Sequence, residues 1–162
     1  MKYEKAIIIA EKIKKQLAPH CERIEIAGSI RRKKPNVGDI EIVAIPKPYD
    51  VGLFESGIAT VVKKWEKVKG ELPCKYTQRI LPEGIKLDLF FAERDNWGNI
   101  FALRTGSASY SHLELASRWR SMGYNSEGGY LFRDGERIAV GEEEDLFKLL
   151  HMPYVPPEKR NY

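Results

Sequence analysis

Cysteine and histidine are scarce in this chain: two of the first and three of the second among 162 residues. Cys21 and Cys74 lack the spacing of thiolate metal ligands, and His20, His112 and His151 are scattered. This argues against a zinc framework or a disulfide scaffold, and reduced thiols fit a cytoplasmic setting, nucleoid or viral context included. Long apolar runs are missing too. The run from Ala6 to Ala10 is stopped by Glu11 and Lys12, far short of the roughly 20 residues a membrane helix needs. No cleavage-site pattern follows it, so neither a secretory leader nor a membrane partner is expected. Internal repeats and low-complexity segments are absent as well.

What is present is enough for a packed core. Hydrophobic residues make up 43% of the chain and aromatics 10%, which argues against disorder. A net charge of +4 permits a polyanionic partner without demanding one. Basic residues crowd the first third: Lys12, Lys14, Lys15, Arg31, Arg32, Lys33 and Lys34. The acidic run from Glu142 to Asp145 reads as a helix start, where carboxylates favour the positive end of the helix dipole.

Periodicity predicts an amphipathic helix over Lys2 to Leu17, with Ala6, Ala10, Ile13 and Leu17 on one stripe. Strands are expected from Arg23 to Ala27, from Asp39 to Ile45, near Val68, from Lys75 to Leu81 and around Asp88. A helix is expected over Gly52 to Trp65. After Asp95 the character changes to helices over Trp97 to Arg104 and Ser107 to Met122. A hairpin turning at Asp134-Gly135 and a short helix from Glu142 to Leu150 follow. The reading is α/β (α+β): a mixed sheet flanked by helices in residues 1–95, then a smaller helix-and-hairpin lobe in residues 96–162. Trp97, Trp119, Tyr124 and Tyr130 are read as packing residues.

The chemistry concentrates in two short stretches. Ala27-Gly28-Ser29-Ile30-Arg31-Arg32 is followed by a basic loop and then Gly38-Asp39-Ile40-Glu41-Ile42-Val43. With a side-chain period of two, Asp39 and Glu41 project from one face of a strand. Adjacent carboxylates repel, and a hard divalent cation such as Mg²⁺ removes that repulsion. Gly28 allows close approach of backbone to a ligand, and Ser29 and Arg32 offer donors to phosphate oxygens. A third carboxylate is expected on a neighbouring strand, and Asp88 in Lys86-Leu87-Asp88-Leu89 fits. Two cations about 3.5–4 Å apart need ligands from more than one strand. Carboxylates for metal and donors for phosphate point to phosphoryl or nucleotidyl transfer.

These residues resemble the nucleotidyltransferase core of the family X DNA polymerases, the family of DNA polymerase beta. Arg104-Thr105-Gly106-Ser107 is similar to the family's Thr-Gly-Ser segment. The end of the chain, Glu142 to Phe147 and then Met152-Pro153-Tyr154-Val155-Pro156-Pro157-Glu158-Lys159-Arg160, is similar to its closing helix and tail. The resemblance implies a template-directed gap- or end-filling DNA polymerase acting in repair, monomeric, with gapped or primer-template DNA and dNTP as partners. It implies two Mg²⁺ ions, or Mn²⁺, with Asp39 and Glu41 on both and Asp88 on the catalytic one. Gly28, Ser29 and Arg32 would bind the triphosphate, and Leu103, Arg104, Thr105 and Gly106 the nucleotide. Lys33, Lys34, Lys86, Ser111 and His112 are its DNA-contact candidates, while Arg31 is expected to be solvated.

Departures from the pattern matter. Glu41 stands where the family has Asp, and Leu103-Arg104 where polymerase beta-like members carry an aromatic pair. The expected form is a minimal one, without the lyase and helix-hairpin-helix domains. Two other readings stay open: a nucleotidyltransferase with a non-DNA acceptor, and a non-catalytic DNA-end binding module.

Overall fold

The structure is a computed structural model describing all 162 residues. The chain packs as two units, Met1–Phe91 and Ala92–Tyr162.

Unit 1 opens with α1 (Tyr3–Leu17), whose apolar stripe of Ala6, Ile9, Ala10, Ile13 and Leu17 is buried. A 3-10 turn containing Pro19 leads into β1 (Cys21–Ile26). The short helix α2 (Gly28–Arg31) and the basic loop precede β2 (Asp39–Pro46). The rest is α3 (Ala59–Val62), β3 (Glu66–Lys69), β4 (Tyr76–Ile80) and β5 (Lys86–Phe91). The five strands form one mixed sheet in the order β1-β2-β5-β4-β3. Only the β2–β5 pair is parallel; the other neighbours are antiparallel.

Alternation along the strands sorts the chemistry. Ile40 and Ile42 of β2 and Leu87 and Leu89 of β5 are fully buried and share a core with α1 and with Ile58, Ala59 and Val62. Asp39, Glu41 and Asp88 take the alternate positions and leave by the other face. A one-residue slip of either strand would exchange the two sets, so the buried isoleucines and leucines fix where the carboxylates stand.

The helix expected over Gly52 to Trp65 is corrected: only Ala59–Val62 is helical. Asp50 organises the preceding stretch as a loop. Its Oδ1 accepts from Gly52 N–H at 2.8 Å, its carbonyl accepts from Ser56 N–H at 3.0 Å, and its own N–H donates to Ser56 Oγ at 3.1 Å. Such side-chain-to-backbone bonds compete with a helix, and Leu53 and Phe54 are left exposed.

Unit 2 contains α4 (Trp97–Thr105), then a helical run made of α5 (Ala108–Tyr110), a π-helical segment (Ser111–Ala116) and α6 (Ser117–Ser121). A three-stranded sheet follows, β6 (Asn125–Glu127), β7 (Tyr130–Arg133) and β8 (Glu136–Ile138), then α7 (Glu143–Leu149). The hairpin turns at Asp134-Gly135 as its sequence predicts, while β6 is an extra strand. Trp119, Tyr124, Leu131, Leu146 and Phe147 anchor this unit's core, and Trp97 is fully buried. Glu142 and Asp145 close a reciprocal cap at the start of α7.

Candidate active site

The register of the sheet assembles the site. Glu41 pairs with Asp88 across the parallel β2–β5 seam, and Asp88 pairs with Gln78 across β5–β4. Asp39 stands opposite Lys86 in the next row. Asp88 is buried, at 7% exposure, and its carboxyl lies close enough to that of Asp39 to shift its titration. Two carboxylates held close repel each other, and a cation or a proton relieves that repulsion. Burial, followed by its interaction with the Asp88 carboxyl, pushes Asp39 up to about 6.

Oδ1 of Asp88 accepts two further hydrogen bonds, from Tyr76 Oη at 2.6 Å and from Gln78 Nε2 at 2.7 Å. Neither donor was foreseen from the sequence. The signal was there in part, because β4 alternates Tyr76, Gln78 and Ile80 with the buried Thr77 and Arg79.

Gly28 sits beside β2 with φ at +62°, and a Cβ added to it would lie 1.7 Å from Glu41 Oε2. Glycine is therefore required twice over, for the backbone conformation and for the space the Glu41 carboxylate fills. Arg32, at the end of α2, lies within the field of Glu41 and Asp39. Burial lowers its pKa, and those two carboxylates work against the shift. Ser29 Oγ is buried and has no hydrogen-bond partner. A buried hydroxyl without a partner costs stability, so a ligand oxygen at this point would recover it.

The three carboxylates do not close around one point. Nowhere do three carboxylate, imidazole or thiolate side chains converge as a metal-ligand group. Asp39 and Asp88 form a pair, and Glu41 is turned towards Gly28. The donor set still suits a hard divalent cation: all oxygens, on a sheet face, with one pair held together against its own repulsion.

The remaining candidates are spread. Lys33 and Lys34 are exposed on the basic loop, and Lys86 is exposed beside Asp39, whose charge it favours. Arg31 is half-buried and lines a cavity of about 170 Å³ with Tyr3, Ile7 and Glu25, so it is not simply solvated. In unit 2, Thr105 is fully buried and its hydroxyl donates to Phe101 O at 2.7 Å. Ser111, also buried, donates to Leu103 O at 2.8 Å. Leu103 is half-buried against the core of this unit, and Arg104 and His112 are exposed. Gly106 leaves room for its neighbours: a Cβ there would come within 2.7 Å of the Tyr110 ring and 2.8 Å of Ser111 Oγ.

Residues 102–161 match the DNA polymerase beta thumb family. Over that span the chain is similar to a polymerase beta thumb. Its whole length superposes on 77% of the chain in a crystal structure of Leishmania infantum polymerase beta, a ternary P/T complex, with a TM-score of 0.75 and 19% identity. Its five-stranded mixed sheet flanked by helices shares the fold of that structure. No curated protein matched the sequence. None of its helices is long and apolar enough to cross a membrane.

Proposed function

We propose that the protein is a DNA polymerase of family X type, adding dNMP from dNTP to a primer 3′-hydroxyl and releasing pyrophosphate. The observation that carries this reading is the Asp39–Asp88 carboxyl pair on the sheet face, with Glu41 beside it. Like charges held close are relieved by a cation or a proton, and phosphoryl transfer uses both. The polymerase beta-type thumb at residues 102–161 supports DNA as the partner.

In the reaction the 3′-oxygen attacks the α-phosphorus, the bond to the β-phosphate bridging oxygen breaks, and pyrophosphate departs. Asp39, Glu41 and Asp88 would hold two Mg²⁺ ions, or Mn²⁺. When bound, such ions make the 3′-hydroxyl more acidic and offset charge on the leaving pyrophosphate. Asp88 accepts the hydroxyl proton. Ser29 Oγ–H and the Arg32 guanidinium donate to phosphate oxygens on which charge builds. Lys33, Lys34 and Lys86 contact DNA phosphate, and the segment Leu103 to Gly106 contacts the nucleotide. Gap- or end-filling during repair by a monomer is the proposed setting.

The test is extension of a primer at a one-nucleotide gap with single dNTPs and Mg²⁺. Template-matched addition of one residue is expected. Binding of the gapped DNA without extension would leave a non-catalytic end-binding module. Extension of no DNA, with nucleotidyl transfer to another acceptor, would leave the broader nucleotidyltransferase.

A further inference from the structure

Asp88 is gripped from one side only. Tyr76 Oη and Gln78 Nε2 both donate to the same oxygen, Oδ1, at 2.6 and 2.7 Å. These are the short distances of charge-assisted hydrogen bonds. Both donors come from β4, and the antiparallel register explains how they converge: Gln78 is the direct partner of Asp88, and Tyr76 is the partner of Phe90 one step along the same face. The Tyr76 ring stacks on Phe90 with centroids 4.9 Å apart and planes 20° apart, which holds the phenol in place. A carboxylate oxygen offers two lone-pair sites. With both taken on Oδ1, Oδ2 is the oxygen left for Asp39, for a cation or for a proton.

We propose that Tyr76 and Gln78 are positioning residues for Asp88, fixing the rotation of its carboxylate so that one oxygen is reserved for the reaction. Turning the carboxylate over would break two short hydrogen bonds at once at a buried site. The device rests on the polymerase reading for its chemical purpose, but the orientation it imposes is a property of the sheet.

The two donors are removed separately. Tyr76→Phe keeps the ring and its stack on Phe90 and loses only the hydroxyl. Gln78→Leu keeps the approximate shape and loses the amide. Outer partners of a metal-binding carboxylate typically change affinity or activity by about 10–100-fold, and each variant should lower kcat on the gapped primer by that order. The KM for dNTP should stay unchanged. Mn²⁺ binding to the DNA-free protein, followed by water-proton relaxation, should weaken in both. Melting curves accompany each variant, and because the donors act independently, either one that folds carries the test.

Wild-type kcat and wild-type Mn²⁺ affinity in a folded variant would overturn the proposal. So would a loss confined to the KM for dNTP. If the wild-type protein bound Mn²⁺ but extended no primer, the polymerase reading would fail. Weakened Mn²⁺ binding in the two variants would then still support the positioning role.

Discussion

Arg160 and Asp88 are both buried charges, one in each unit, and their surroundings are opposite in kind. Arg160 is fully buried and is paired with an opposite charge from its own unit, although its Nη2 has no hydrogen-bond partner. Its Nη1 donates to Glu143 Oε1 at 2.7 Å and its Nε to Val155 O at 2.8 Å. Its charge lies over the rings of Phe147 and Tyr154, at 5.1 and 5.2 Å. Asp88 instead stands opposite a second carboxylate, Glu41, across the β2–β5 seam, with Asp39 close by. A fold that pairs opposite charges is satisfying itself. One that holds like charges together is kept for something it does not contain.

That contrast is sharpest if each charge is removed in turn. Asp88→Ala should abolish primer extension while the circular dichroism stays that of the wild type. Near wild-type turnover would show that the carboxylate pair is incidental. Arg160→Met should act the other way, leaving Mn²⁺ binding by unit 1 untouched but lowering stability. Breaking a buried ion pair typically costs about 3–5 kcal/mol, which urea denaturation would register. A loss under about 1 kcal/mol, the range of exposed pairs, would mean that Arg160 is not an anchor.

Gly28→Ala tests the site from its edge. An L-residue at positive φ costs about 1–2 kcal/mol, and the new methyl would displace the Glu41 carboxylate. Lower thermal stability together with weaker Mn²⁺ binding is expected; a variant matching wild type in both would show that Glu41 does not need its present place.

The smallest effect is a pH dependence. Asp39 is raised from 3.8 to about 6 in the folded protein, so the folded state holds its proton more tightly than the unfolded chain does. Its contribution to stability is present below pH 3.8 and is lost as pH rises through about 6. The stability of wild type relative to Asp39→Asn, without metal, should therefore fall across that window. Added Mg²⁺ should offset more of the loss at the alkaline end than at the acid end. A flat difference between the two proteins would mean that Asp39 ionises freely.

The sequence made the carboxylates legible because strand alternation and buried isoleucines are local signals. Asp39, Glu41 and Asp88 could be placed on one face before any pairing was known. The partners of Asp88 could not, because Tyr76 and Gln78 become its neighbours only through the β4–β5 register. The loop before α3 departs from its sequence pattern for a related reason: Asp50 closes it through its own side chain, and hydrophobic residues such as Leu53 and Phe54 mimic a helical stripe while staying outside. The β6 strand, Asn125–Glu127, is polar and exposed throughout, so it carries no alternation to read. The closing tail was recognisable as a pattern, yet nothing in the pattern said that Arg160 is wholly enclosed.

The single parallel seam has a consequence for how the molecule comes together. The sheet consists of two locally wound pieces, the antiparallel pair β1–β2 and the β3–β4–β5 meander. Each can zip up between sequence neighbours. The β2–β5 seam joins strands separated in the chain by α3, β3 and β4, and such distant pairings are slow to form. Glu41 and Asp88 face each other across it. A nascent chain therefore carries the halves of its site on two separate pieces and acquires the complete one only when they dock, against the mutual repulsion of their acids. Refolding faster in Mg²⁺ than in its absence would be the kinetic trace of that docking.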